Sequence, residues 1–140
     1  MCIKHIKGLL IYFSKMASAL SSFNTQLVNF FEDLSQTFPE EKDIRMGLEA
    51  IKGAKRINPR LILDLFYEHV YKAINDAIQR KDIQYIQNYA RAVISTQFNE
   101  IMPALAIFDK HWNTMTSANQ DSIWKYMRVL CLLCEKARAQ

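Results

Sequence analysis

The chain has 140 residues, half of them hydrophobic, with three glycines and three prolines; that length suits one domain with a core, and that composition argues against both disorder and a β-rich architecture. The formal charge is +4, but basic residues are scattered among acidic ones, and Lys4, Lys7 and Lys15 contribute three of the excess charges in a stretch with no acid. The remainder is nearly neutral, unlike the basic stripe of a nucleic-acid protein, and Lys52, Lys55, Arg56 and Arg60, the one tight basic group, stand only as a weak nucleic-acid alternative.

Cys2, Cys131 and Cys134 are odd in number and badly spaced for a disulfide scaffold, so a reducing compartment is the simpler reading. The apolar segment from Gly8 to Phe13 is far shorter than the roughly 20 residues of a spanning helix. It is also at the short end for a signal peptide, and no convincing cleavage site follows it. The expectation is a soluble intracellular chain with an all-α fold: a single compact bundle of five to six helices over residues 21–140, preceded by an N-terminal amphipathic arm over 1–20.

In the arm, Ile3, Ile6, Leu10, Phe13, Ala17 and Leu20 recur at alternating three- and four-residue steps, the seam of a helix that packs lengthwise on a partner. Lys4, His5 and Lys7 take the other face. Three readings compete: an added helix of the fold, a segment docking on a neighbouring protein, or a basic membrane-surface anchor, the last disfavoured by the short polar face. Met16-Ala17-Ser18 would also make a plausible start of a shorter product.

Ser22 or Asn24 is expected to cap a helix carrying Leu27, Val28, Phe30, Phe31 and Leu34 and ending before Phe38-Pro39. Thr37 to Glu40 has capping-box spacing for the next helix, with Glu40, Glu41 and Asp43 in its first turn, where the helix dipole favours anions. Ile44, Leu48 and Ile51 form the inner face of that helix; Gly47 and Gly53 weaken it or admit another backbone. Asn58-Pro59 reads as a cap with proline at the first helical position. From Leu61 to Ile78 the apolar periodicity lasts about five turns, the longest helix expected. Arg80-Lys81 closes it. Asp82 then caps a helix from Ile83 to Ile94, and Ser95-Thr96-Gln97 reads as a break. Between Phe98 and Trp112, Pro103 marks a helix start or a kink.

After a loop from Asn113 to Ala118, the stretch from Thr116 to Cys134 combines a Ser117/Gln120 capping box with the densest apolar face of the chain: Ile123, Trp124, Met127, Leu130, Cys131 and Cys134, widened by Tyr126, Val129 and Leu133. A helix this apolar is expected to be the one around which the others pack.

Chemistry-bearing patterns are thin. Cys131-Leu132-Leu133-Cys134 is a CxxC, but reactive pairs sit at helix N-termini, where the dipole stabilises thiolate, and this one sits near the opposite end. It has no second pair for zinc, and Cys2, His69 and His111 are far apart in sequence. No serine or cysteine motif accompanies either histidine, and Asp64, Glu68 and Lys72 share one helix face as a solvated, salt-bridged row. There is no glycine-rich phosphate loop. Catalytic residues, metal ligands and cofactors are therefore all expected to be none. Tyr67, Tyr71, Tyr85 and Tyr89, with Phe66, are many aromatics for two neighbouring helices; base stacking would need arginines interleaved with them, whereas interfaces are enriched in Tyr, Trp, Met and Arg. Protein contact through these tyrosines and through Ile3, Ile6, Leu10 and Phe13 is the functional expectation.

Phe38-Pro39-Glu40-Glu41-Lys42-Asp43, Asn58-Pro59-Arg60, and Trp112 followed by Asn119-Gln120-Asp121-Ser122-Ile123-Trp124-Lys125-Tyr126 are the segments through which the chain resembles a group of short helical proteins of large double-stranded DNA viruses of algae and protists. The resemblance covers about Phe23 to Glu135 and leaves the arm outside. It implies a non-enzymatic minor capsid protein carried in the virion beneath the major capsid layer, with other capsid proteins as partners, and it transfers no functional residue. The competing expectation is an intracellular adaptor that regulates a viral or host factor.

Overall fold

The structure, a computed structural model, describes residues 18–96 and 99–139. The arm with Ile3, Ile6, Leu10 and Phe13, and the continuation of the predicted break at Gln97 and Phe98, lie outside the described residues. Among the described residues the chain is all helix: α1 (Ala19–Thr37), α2 (Lys42–Ile57), α3 (Leu61–Phe66), a π turn (Tyr67–Tyr71), α4 (Lys72–Arg80), α5 (Ile83–Ile94), α6 (Met102–Lys110), a 3-10 turn (Trp112–Thr114) and α7 (Ser117–Ala139). α3, the π turn and α4 run on without a break, so the body is a bundle of six rods.

α1 starts earlier than expected. Ser18, in extended conformation, accepts from the Ser21 N–H and is the cap, while Ser22 and Asn24 lie inside the helix, buried. The reason is packing: Phe23 must reach Phe66, ring centroids 5.1 Å apart in an edge-on contact, and that contact draws its neighbours into the helix. α1 packs against α7, α2 and α3 together and buries Phe23, Leu27, Phe30, Phe31 and Leu34 completely or nearly so. At about 1.5–3 kcal/mol for each such side chain removed from water, this one row is a major part of the driving force for folding. α1, and not the final helix, is therefore the wrapped element. α7 buries the expected row from Ile123 to Cys134, with Val129 only half-buried, and adds Ala137 to it, but it keeps Lys125, Arg128, Leu132 and Glu135 on an open side.

The expected capping box at Thr37 does not form. Thr37 ends α1, its hydroxyl donating to the Asp33 carbonyl at 2.8 Å, and Glu41 precedes α2 without a side-chain cap bond. Asn58 does accept, at 3.1 Å, from the Arg60 N–H, but Pro59 sits in the turn and α3 begins at Leu61. Lys81 stops α4 in the left-handed conformation (φ 55, ψ 40), and Asp82 caps α5 by accepting from the Tyr85 N–H at 3.1 Å, as the sequence indicates. α6 starts at Met102 with Pro103 in its first turn, so the proline marks a start and not a kink. At α7 the cap is Thr116, whose hydroxyl accepts from the Asn119 N–H at 3.2 Å. The Gln120 amide donates instead to the Trp112 carbonyl at 2.7 Å, tying the helix to the 3-10 turn. α7 then runs five residues past Cys134, to Ala139.

Candidate functional site

The two late cysteines are disposed of by their surroundings. Both are buried and unbridged, and burial is the main cause that pushes each thiol up to about 12. A thiol that resists ionisation is a poor nucleophile and a poor metal ligand, so the pair works as small apolar filling under α7.

His111 is different, because the fold gives it partners the sequence does not advertise. Its Nε2 lies 2.8 Å from Glu41 Oε1, 70 residues away, and its ring stacks on Phe38 with centroids 4.5 Å apart. Lys110 donates to the other oxygen of Glu41 at 3.4 Å. The hydrogen bond from His111, helped by Lys110, holds the Glu41 carboxyl below its ordinary range against the opposing effect of burial. With Glu40, these side chains bring three potential ligand atoms within 4.8 Å of one another. Glu41, however, already has the imidazole on one oxygen and an ammonium on the other, so a divalent ion would have to displace two partners. The cluster is best described as an ion-paired clasp between the start of α2 and the end of α6.

The tyrosines divide into three settings. Tyr67 and Tyr71 flank the π turn, stacked at 5.6 Å and half-buried. The Arg138 guanidinium lies 3.5 Å from the centroid of the Tyr67 ring and 3.8 Å from Asp64, while the Tyr71 hydroxyl donates to the Glu135 carboxylate. That bond pushes the Tyr71 hydroxyl up to about 12. Tyr89, on α5, donates its hydroxyl to the His69 carbonyl. A π turn leaves backbone carbonyls out of the regular ladder, and Tyr89 satisfies one of them. Three of the four predicted contact tyrosines are thus brought together around the π turn, and Tyr85 stands apart, 51% exposed. The solvated row is as expected in part: Lys72 pairs with Glu68 at 3.2 Å, while Asp64 turns to Arg138.

The basic group gathers at the end of α2 and the turn after it. Lys52 leans toward Glu49 at 3.8 Å, and Lys55, Arg56 and Arg60 are exposed. Near them lies a feature that sequence reading missed. α2 carries two apolar faces. Ile44, Leu48 and Ile51 point inward as expected, but Met46, Ala50, Gly53 and Ile57, at steps of four, three and four, form a second stripe on the other side. Met46 is 65% and Ile57 88% exposed. At its upper end the stripe borders an open groove of about 400 Å³ lined by Asp43, Met46, Gly47, Ala50, Glu100 and Pro103. Gly47 is required there: a Cβ would stand 3.0 Å from the Glu100 carbonyl and 3.1 Å from the Phe31 ring. At Gly53 a Cβ would meet nothing within 4 Å. The signal that could have revealed this stripe is its own periodicity, hidden because the glycine and alanine in it do not register as apolar anchors.

No helix among the described residues is long and apolar enough to cross a membrane. Compared with protein-family models, with curated proteins and with solved structures, the chain matches none.

Proposed function

We propose that this chain is a non-enzymatic structural protein of a large double-stranded DNA virus, a minor capsid component that binds neighbouring shell proteins beneath the major capsid layer. The observation that carries the protein-contact part is the set of large apolar side chains left in water on a body whose core is already filled: Met46, Ile57, Leu61, Tyr85, Ile94 and Leu132. Scattered apolar residues are normal on any surface, but Met and Tyr are interface-enriched types, and here Met46, Ile57 and Leu61 lie along α2 and the start of α3. The viral part rests on the sequence resemblance. The adaptor reading uses the same surface and differs in where the protein is found.

Quantitative mass spectrometry of purified particles tests this. A fixed, stoichiometric ratio to the major shell protein is the expected result. Recovery from infected-cell lysate with none in washed particles contradicts it and leaves the adaptor.

A further inference from the structure

The corner between α2 and α3 is seven exposed residues in a row, Lys55-Arg56-Ile57-Asn58-Pro59-Arg60-Leu61. It holds three cations, no acid and two aliphatic side chains in water, Ile57 at 88% and Leu61 at 42% exposure. We propose that this corner docks on an anionic lipid surface, with Ile57 and Leu61 entering the outer edge of the acyl layer and Lys55, Arg56 and Arg60 lying among the headgroups. Docking here leaves Met46, Tyr85, Ile94 and Leu132 to protein contact and is independent of the shell reading.

Charge is the first ground. Among the described residues no carboxylate lies in ion-pair range of Lys55, Arg56 or Arg60, and the acids nearest in sequence are engaged elsewhere: Glu49 faces Lys52 at 3.8 Å and Asp64 faces Arg138 at 3.8 Å. Arg80, Arg91 and Lys110, by contrast, each have an acidic partner. Three unmatched charges on one corner are what the negative potential of anionic headgroups complements.

The second ground is the isoleucine between those charges. Its exposure is relieved only where an apolar phase lies within a side chain's reach of the anions, and a bilayer interface is layered in that way. Long cationic side chains reach back to the headgroups while the aliphatic ones go deeper. The phosphates of a nucleic acid would take the three cations but leave Ile57 in water.

The third ground is the backbone. The Asn58 N–H donates to the Ala54 carbonyl at 2.8 Å and the Leu61 N–H to the Asn58 carbonyl at 3.1 Å, while the Arg60 N–H donates to the Asn58 side chain at 3.1 Å. Pro59 has no N–H. The turn can therefore meet hydrocarbon without carrying an orphaned donor into it. Buried Asn24 donates to the Pro59 carbonyl at 2.9 Å, which fixes the corner to α1, so docking orders little that is not ordered already.

The test is co-sedimentation of the full chain, at low ionic strength, with phosphatidylcholine vesicles that contain no phosphatidylserine or about 30% of it. The parent is expected to pellet with the mixed vesicles only and to be released by salt. Ile57→Ser, which keeps every charge, should weaken binding about tenfold. Arg56→Gln with Arg60→Gln should weaken it about thirtyfold, and Arg56→Lys with Arg60→Lys should bind as the parent does. All these side chains are exposed, so the far-UV circular dichroism of each variant should match the parent's. Absence of the parent from the mixed-vesicle pellet would overturn the proposal, as would undiminished binding by Ile57→Ser or by the double glutamine variant. Tighter binding to a short DNA duplex than to the vesicles, indifferent to Ile57→Ser, would overturn it in favour of nucleic acid.

Discussion

α1 and α2 lie side by side and treat hydrophobicity in opposite ways. α1 buries Ser22 and Gln26, one turn apart, with the Ser22 hydroxyl and both amide atoms of Gln26 lacking a hydrogen-bond partner, while α2 leaves Met46 and Ile57 in water. Residue type alone would predict the reverse. The difference is position: α1 is hemmed in by α2, α3 and α7, so whatever sits between its phenylalanines goes inside with them. α2 has one neighbour-facing side and one side that the described body does not cover. A buried amide without partners costs about 1–3 kcal/mol, and exposed apolar area forfeits about 25 cal/mol per Å². The first is tolerable because the row of aromatic contacts around α1 is strong.

The largest effect should come from the row that pulls α1 inward. Phe31 is fully buried, edge-on to Phe30 at 6.3 Å and packed under Gly47. Phe31→Ala is expected to destabilise by about 3–5 kcal/mol, measured as a lowered denaturation midpoint or failure to fold. A loss below about 1 kcal/mol would mean that α1 is not the wrapped helix. Next comes the close approach of α2 to the chain before α6. Gly47→Ala pushes a methyl group against the Glu100 carbonyl and should cost about 1–3 kcal/mol; a neutral result in thermal denaturation would show that this backbone yields easily.

Gln26 offers a gain. Gln26→Met keeps the volume and removes two unpartnered polar groups, so it is expected to raise stability by about 1 kcal/mol, with an unchanged denaturant slope. A drop in stability would mean that the amide is satisfied and the contrast between the two helices is smaller than described. The smallest effect is at the clasp. Because the folded Glu41 carboxyl titrates lower than in the unfolded chain, its contribution is present above the ordinary carboxylate range and fades as the pH falls through the lower folded value. Stability of the parent relative to Glu41→Gln should therefore converge at strongly acid pH and differ by about 1 kcal/mol or less near neutrality. A difference that grows on acidification would reverse the assignment.

Much of the fold was legible because its local signals are strong. The apolar periods from Leu61 to Ile78 and from Ile83 to Ile94 fall on helices, and Asp82 at a cap and Pro103 in a first turn match what their chemistry allows. Caps went astray where several hydroxyls compete within one turn. Ser18, Ser22 and Asn24 can all cap in isolation, and only the contact between Phe23 and Phe66 selects the first. Ser117 yielded to Thr116, whose hydroxyl accepts from the Asn119 N–H, and the Gln120 side chain, expected to accept from the Ser117 N–H, instead donates to the Trp112 carbonyl. The π turn has no local signature; it is stabilised from α5, by Tyr89. The clasp joins residues 70 positions apart, and no spacing rule links Glu41 to His111. The outer stripe of α2 was overlooked because its middle is an alanine and a glycine, residues whose value lies in the room they leave.

Native-state amide hydrogen exchange of the full chain tests most directly whether α1 is the centre of the molecule. The amides from Phe23 to Leu34 should be the slowest of all and exchange only through global unfolding, their free energy of exchange matching that from denaturant titration, with those of α7 beyond Cys134 and of α2 opening sooner. A slowest set confined to α7, with α1 exchanging through a lower-energy local opening, would contradict the account.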